Sequence, residues 1–211
     1  IDMSKLKIVI VDYGVGNVQA FLNLFNRVGL SAERAKNVDD LADASHLILP
    51  GVGHFDYAMR SLNNSGMREC LEDLVVTQKV PILGVCVGMQ MLANSSEEGD
   101  LPGLGWLPGC VQALAGNYEH GTLPLPHMGW NELQINTHHG FFPSAAPEPP
   151  QFYFLHSFYF RAKKHSDVIA TTNYGFDFDA VVCHGNVFGI QCHPEKSHFW
   201  GEHFLRAFAE L

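Results

Sequence analysis

The chain has 211 residues, 46% of them hydrophobic, enough to bury one sizeable core, and a length below about 250 residues does not require a second domain. Charged residues make up only 17%, against roughly 25% in average soluble chains, and a formal net charge of -9 argues against a nucleic-acid or anionic-membrane surface. No apolar run reaches the roughly 18 residues of a membrane span and the N-terminus lacks the order of a secretory signal, so a cytoplasmic location is expected. The five cysteines, at 70, 86, 110, 183 and 192, form neither a disulfide framework nor a CxxC pair. Ile1 and Asp2 precede Met3, which reads as a start, and a single domain is drawn over residues 3–211.

The first element is a buried strand at KIVIVD, residues 7 to 12, rich in β-branched side chains and stopped by the glycine-bearing turn YGVGN. VQAFLNLFNRVG follows, with Phe21, Leu24, Phe25 and Val28 on one helical stripe that Gly29 closes. The pattern repeats: SHLILP ends in PGVGHF, helical segments run up to Gln78, and VPILGV leads into GVCVG and a short helix at MQML. Alternating strand and helix imply a parallel, doubly wound α/β sheet with helices on both faces and functional loops at the carboxyl ends of its strands. All three glycine turns, at 13 to 16, 51 to 53 and 84 to 88, fall at that end.

From about residue 100 short strands alternate with Gly, Pro and Asn: GWLPGCVQAL, WNELQI, QFYFLHSFYF, VIATTNY and FDAVVCHGNVFGIQC. DAVVC and VFGIQ, separated by HGN, read as a hairpin, so the C-terminal half is a mixed or antiparallel extension. THHG, residues 137 to 140, and FFPSAAPEPP, residues 141 to 150, read as exposed loops. In the final SHFWGEHFLRAFAEL, Phe199, His203, Phe204, Ala207 and Phe208 are placed near one helical face that packs back on the sheet.

Gly84-Val85-Cys86-Val87-Gly88 sits where a strand gives way to a helix. A nucleophile at the apex of such a turn needs small residues two positions before and after it, because backbone approaches closely there. The turn places Cys86 near a helix start, which favours the attacking thiolate, and aims the Val87 N–H at the oxyanion of a tetrahedral intermediate. A cysteine nucleophile needs a proton acceptor held by a third group. His193 follows the strand VFGIQC and precedes Pro194 and Glu195; in extended chain residues i and i+2 project to the same side, which sets Glu195 beside His193. Cys86, His193 and Glu195 therefore read together as a Cys-His-Glu triad. Metal binding is a weaker use of the same residue types, since no spacing matches the usual zinc patterns. Phosphate cradling by the glycine turns is weaker still, for neither GxxxxGK[ST] nor GxGxxG is present.

These residues resemble the class I, triad-type glutamine amidotransferases, and within them the glutaminase subunits of imidazole glycerol phosphate synthases. The likeness runs nearly the whole length, through VDYGVGNV, LPGVGHFDYAM, GVCVGMQ, SEEG with PGLGW, LPLPHMGWN, YFLHSFYF and QCHPEKSH. The resemblance implies a flavodoxin-like fold and hydrolysis of the glutamine side-chain amide by Cys86, His193 and Glu195. It also implies a second oxyanion donor from Val52 and a glutamine site lined by Gly53, Gln90, His156, Ser157 and Phe158. Phe158 replaces the tyrosine usual in that segment, removing a hydroxyl contact, and Cys192 replaces a common phenylalanine. Ammonia is implied to pass to a HisF-type (β/α)8 cyclase, with Met128, Trp130 and Lys196 near that interface; no cofactor or metal is implied. Buried core is the competing reading for Met128 and Trp130, and a solvated charge for Lys196. Three other functions stay open: a paralogous glutaminase feeding a HisF-like synthase for an amidino-sugar of a surface polysaccharide, a non-catalytic scaffold subunit, and a γ-glutamyl hydrolase.

Overall fold

The structure is a computed structural model and describes residues 6–117, 123–137, 139–143 and 148–211. The expected start at Met3, His138 of THHG and residues 144–147 of the proline-rich loop lie outside the described residues. In chain order the first half comprises β1 (Ile8–Val11), α1 (Val18–Arg27), β2 (Ala32–Ala35), β3 (His46–Gly51), α2 (Phe55–Asn64), α3 (Arg68–Glu72), β4 (Ile82–Cys86) and α4 (Val87–Met91). Then come β5 (Ser95–Ser96), β6 (Gly109–Ala113), β7 (His127–Glu132), β8 (Gln134–Ile135), β9 (Gln151–His156) and β10 (Phe158–Ala162). The chain ends with β11 (Val168–Asn173), β12 (Asp177–His184), β13 (Val187–Ile190) and α5 (His198–Ala209).

An eight-stranded sheet of order β2-β1-β3-β4-β13-β12-β11-β8 carries the fold. Its first five strands are parallel and the last three antiparallel, the expected doubly wound sheet with its extension. β1, β3, β4 and β13 are buried at every residue, which is why they read as continuous apolar runs and not as alternating ones. α1 presents Val18, Phe21, Leu24 and Phe25 to the core and is capped by Asn17, whose side chain accepts from the Ala20 amide. Helices α1 and α5 pack together, as do α2 and α4. The hairpin is β12–β13, with His184 opposite Val187 across a turn that puts Gly185 at φ +61°.

Four expectations change in detail. WNELQI is two strands, because Leu133 turns into the core between β7 and β8. QFYFLHSFYF also splits, at Ser157: β9 pairs with β7 in a two-stranded ribbon, while β10 joins β6 and β5 in a three-stranded sheet. The loop from residue 141 is not wholly exposed, since Phe141 and Phe142 are buried and Phe141 stacks on Phe204 at 4.6 Å. The buried face of α5 is Gly201, Phe204, Leu205 and Phe208, and Phe199 is 67% exposed. At 3.6 residues per turn, Phe199 lies about 140° around the helix from Phe204, out of phase with the core.

Candidate active site

The elbow at Cys86 is built by crowding. Cys86, the last residue of β4 and the one directly before α4, adopts φ +55° and ψ -115°, a region that non-glycine residues rarely enter. A Cβ on Gly84 would meet the Gly88 carbonyl oxygen and Leu92 Cδ1, each at 2.7 Å, and one on Gly88 would run into the Leu49 carbonyl oxygen. Gly51, at the end of β3, would meet the Gly88 amide nitrogen. The second glycine turn is thus pressed onto the elbow, which brings Val52 and Val87 to the same cavity as Cys86.

His193 arrives from the strand beside β4, since β13 pairs parallel with β4 and ends at Ile190, three residues before the histidine. Its Nδ1 lies 2.7 Å from Glu195 Oε1, and both side chains are almost fully buried. The pairing is the expected one, but the geometry behind it differs: only His193 is extended, and Pro194–Lys196 forms a single 3-10 turn that curls Glu195 back. Pro194 suits the first position of that turn because its fixed φ is already helical. The loop is fixed by the His193 amide donating to Tyr153 O at 2.8 Å, by the Ser197 hydroxyl donating to His193 O, and by the Tyr153 amide donating to Ser197 Oγ at 3.0 Å. Burial alone would depress the imidazole pKa, but hydrogen bonds and charge attraction to Cys86 and Glu195 outweigh it and raise the ring to about 10. A positive ring beside a thiol is the arrangement that cysteine nucleophiles use.

The cavity over Cys86 has a volume of about 340 Å³, within the range of small-ligand sites. Of the expected residues, Val52, Gly53, Cys86, Val87, Gln90, His156, Ser157, Phe158, His193 and Lys196 line it, and Glu195 lies behind His193. Met128 and Trp130 do not line it; they stand outward on β7, 64% and 50% exposed, so neither is core. Lys196 is exposed at the cavity edge, with Nζ 5.7 Å from the centre of the Tyr153 ring. Phe158 brings no hydroxyl, but its carbonyl accepts from Gln90 Nε2 at 2.9 Å and from His156 Nδ1 at 2.8 Å.

Behind the cavity, His127 Nδ1 is 2.9 Å from His156 Nε2, and Asn131 Nδ2 is 3.3 Å from His127 Nε2. Burial lowers His127 to about 4, and burial with the neighbouring His127 lowers His156 to about 3, so both rings are neutral at pH 7. Phe158 O only accepts, which puts the His156 proton on Nδ1; His127 then donates from Nδ1 and accepts from Asn131. Sequence reading also missed Glu98, the one carboxylate among the described lining residues, whose Oε2 accepts from the Phe55 amide at the start of α2 at 2.9 Å. Its position in SSEEG gives no local signal beyond an acidic residue before glycine. Among the described residues no group of three His, Cys, Asp or Glu side chains could hold a metal ion, and no helix is long and apolar enough to cross a membrane.

The family model described as glutamine amidotransferase class-I matches residues 9–210 of this chain. The chain belongs to the class I glutamine amidotransferases. The amidotransferase is 50% identical over 204 residues to imidazole glycerol phosphate synthase subunit HisH of Bdellovibrio bacteriovorus, covering 97% of this chain and 100% of that relative. It is 45% identical over 202 residues to the subunit of the same name from Leptospira borgpetersenii, covering 96% and 98%. Among solved structures, one described as a glutamine amidotransferase superposes with a TM-score of 0.74 at 20% identity, covering 96% of this chain and 97% of that one. PurLQS from Thermotoga maritima superposes at 0.73 and 18% identity over 97% and 98%. At such identities these two speak for the fold of the amidotransferase alone.

The buried Glu195 carboxylate has one hydrogen-bond partner, His193, and its Oε2 has none among the described residues. Its charge is therefore directed at the imidazole. Glu195→Gln keeps the shape and removes the charge, and is expected to lower the glutamine turnover number by about 10² to 10⁴ with KM little changed. A turnover number within twofold of the parent, measured as glutamate release, would remove Glu195 from the reaction.

Proposed function

We propose that this chain is the glutaminase subunit of an imidazole glycerol phosphate synthase in histidine biosynthesis, hydrolysing glutamine through a cysteinyl thioester and passing ammonia to a HisF-type cyclase. The observation that carries the reading is the buried line from Cys86 through His193 to Glu195, facing one cavity with Val52 and Val87. The two relatives named above support the pathway.

In this reading the Cys86 thiolate attacks the side-chain amide carbon of glutamine and the carbonyl electrons move onto oxygen, where the Val52 and Val87 amides receive them. The C–N bond then breaks as the His193 imidazolium gives its proton to the departing nitrogen, releasing ammonia and leaving a thioester. Neutral His193 next takes a proton from water. The resulting hydroxide attacks the thioester, and glutamate leaves as the thiolate and imidazolium are restored. Glu98 receives the substrate's α-ammonium group, since it is the negative side chain at the cavity. Ser157 and Phe158 offer backbone groups, and the amide oxygen of Gln90 remains for substrate because its nitrogen is engaged with Phe158 O and Gln191 Oε1.

The cyclase sits on the outward face of β7 and β9, where Met128 pairs with Leu155 and Trp130 with Tyr153, next to Lys196 at the cavity edge. Exposed large apolar side chains beside a catalytic cavity are what a partner surface looks like before it is covered. Glutamate release by the purified chain, with and without a HisF-type cyclase and its nucleotide ligand, tests the reading. Stimulation of about tenfold or more is expected, one realigned oxyanion donor being worth up to about a thousandfold. No stimulation by the liganded cyclase would exclude it as the partner.

A further inference from the structure

Gln191 is fully buried one residue beyond β13, and nothing in the reaction above employs it. Its amide orientation follows from its neighbours. Phe158 O can only accept a hydrogen bond, so the Gln90 atom 2.9 Å away is the amide nitrogen. The same nitrogen lies 3.1 Å from the Gln191 side chain, which must present its oxygen there. The NH₂ group of Gln191 therefore faces the other way, 3.8 Å from Cys86 Sγ. Gln191 cannot swing aside without breaking this line, and its backbone amide is held by Ala180 O at 2.8 Å.

We propose that Gln191 is a further catalytic residue of the amidotransferase: its amide N–H donates to Cys86 Sγ and stabilises the thiolate, with Gln90 fixing the orientation of the donor. The proposal rests on Cys86 being the nucleophile. The other groups facing Cys86 explain why such a donor matters. His193 is the positive neighbour, Leu155 O at 3.8 Å can only accept from a thiol, and the Tyr13 hydroxyl is committed to Pro50 O at 2.6 Å. The buried Cys192 thiol and Glu195, behind His193, add no donor to the sulfur. His193 loses its proton to the leaving ammonia and must regain it from water. Gln191 has no charge to lose, so it serves the sulfur in both halves of the cycle. In the second half the C–S bond breaks and its electron pair returns to Sγ, which is where the N–H points.

The test is alkylation of Cys86 by iodoacetamide, followed peptide by peptide in a mass spectrometer, because it needs neither glutamine nor a partner. Gln191→Met removes the donor at similar volume and is expected to slow alkylation at pH 7 by about tenfold, with the difference closing as the pH rises. Gln191→Asn, one methylene shorter, keeps a polar amide in the protein but withdraws it from sulfur, and is expected to slow the reaction to the same degree; it serves where the methionine variant does not fold. Gln90→Met leaves Gln191 in place but unfastened, and an intermediate rate is expected. A folded Gln191 variant that alkylates at the parental rate, whatever its melting temperature, overturns the proposal. Should Cys86 of the parent react no faster than Cys110, the nucleophile reading falls and the proposal with it.

Discussion

Cys86→Ala is expected to lower glutamine-dependent synthesis by about 10⁴-fold or more while leaving synthesis from added ammonia unchanged in the assembled enzyme. The substitution deletes one sulfur atom at a 3% exposed position and keeps the backbone torsions that any L-residue must strain to hold there. It removes the atom that attacks, so no thioester forms, while on the proposed function the acceptor chemistry belongs to a cyclase on another chain. Both reactions are measured on the same preparation, with glutamine and then ammonium as nitrogen donor. Equal loss of the two would assign Cys86 a structural role, and loss of neither would return the chain to a scaffold.

The second large effect is on stability. Gly88→Ala is expected to destabilise the fold by about 3 kcal/mol or more and to remove activity with it. The added Cβ runs into the Leu49 carbonyl oxygen and sits 3.1 Å from the Pro50 carbonyl carbon. Both neighbours are backbone of β3, so no side-chain rotation relieves the clash; β3 and α4 must separate, and the elbow moves with them. Gly53→Ala is the control, for its Cβ meets nothing within 4 Å and only its φ of +79° is penalised, by about 1 kcal/mol. Denaturant midpoints compare the two. A Gly88 variant no less stable than the Gly53 variant would show that the close approach at α4 is not what the glycine serves.

β1, β3 and β4 were legible because each is buried at every residue and runs into a glycine-bearing turn. The elbow was legible for a related reason: Gly84 and Gly88 bracket Cys86 at the spacing that crowding imposes. His193 and Glu195 were paired from their i, i+2 spacing in extended chain; the two do meet, but through a 3-10 turn that this reasoning did not foresee. What stayed hidden is what sheet order assembles. Gln90 on α4 meets Gln191 just beyond β13, His127 meets His156 across β7 and β9, and no local spacing announces either pair. Ser157 carries no glycine or proline, so the break between β9 and β10 left no mark. On β7 the usual pattern is inverted, with His127 buried and Met128 and Trp130 outside. Alternation predicts which residues share a face, but not which face is the core when the outer one awaits a partner.

The β7–β9 ribbon has a consequence in linkage. Two strands alone have little intrinsic stability, so the order of this ribbon depends on what packs against its two faces. Its outer face carries Met128, Trp130 and Leu155; its inner side holds His156, sets the Leu155 carbonyl against Cys86 Sγ and ties Tyr153 to the His193 loop. A ligand that quiets the ribbon from the cavity and a protein that covers it from outside thus lower the same ordering cost. Such coupling is reciprocal: the factor by which the outer partner tightens glutamine is the factor by which glutamine tightens the outer partner.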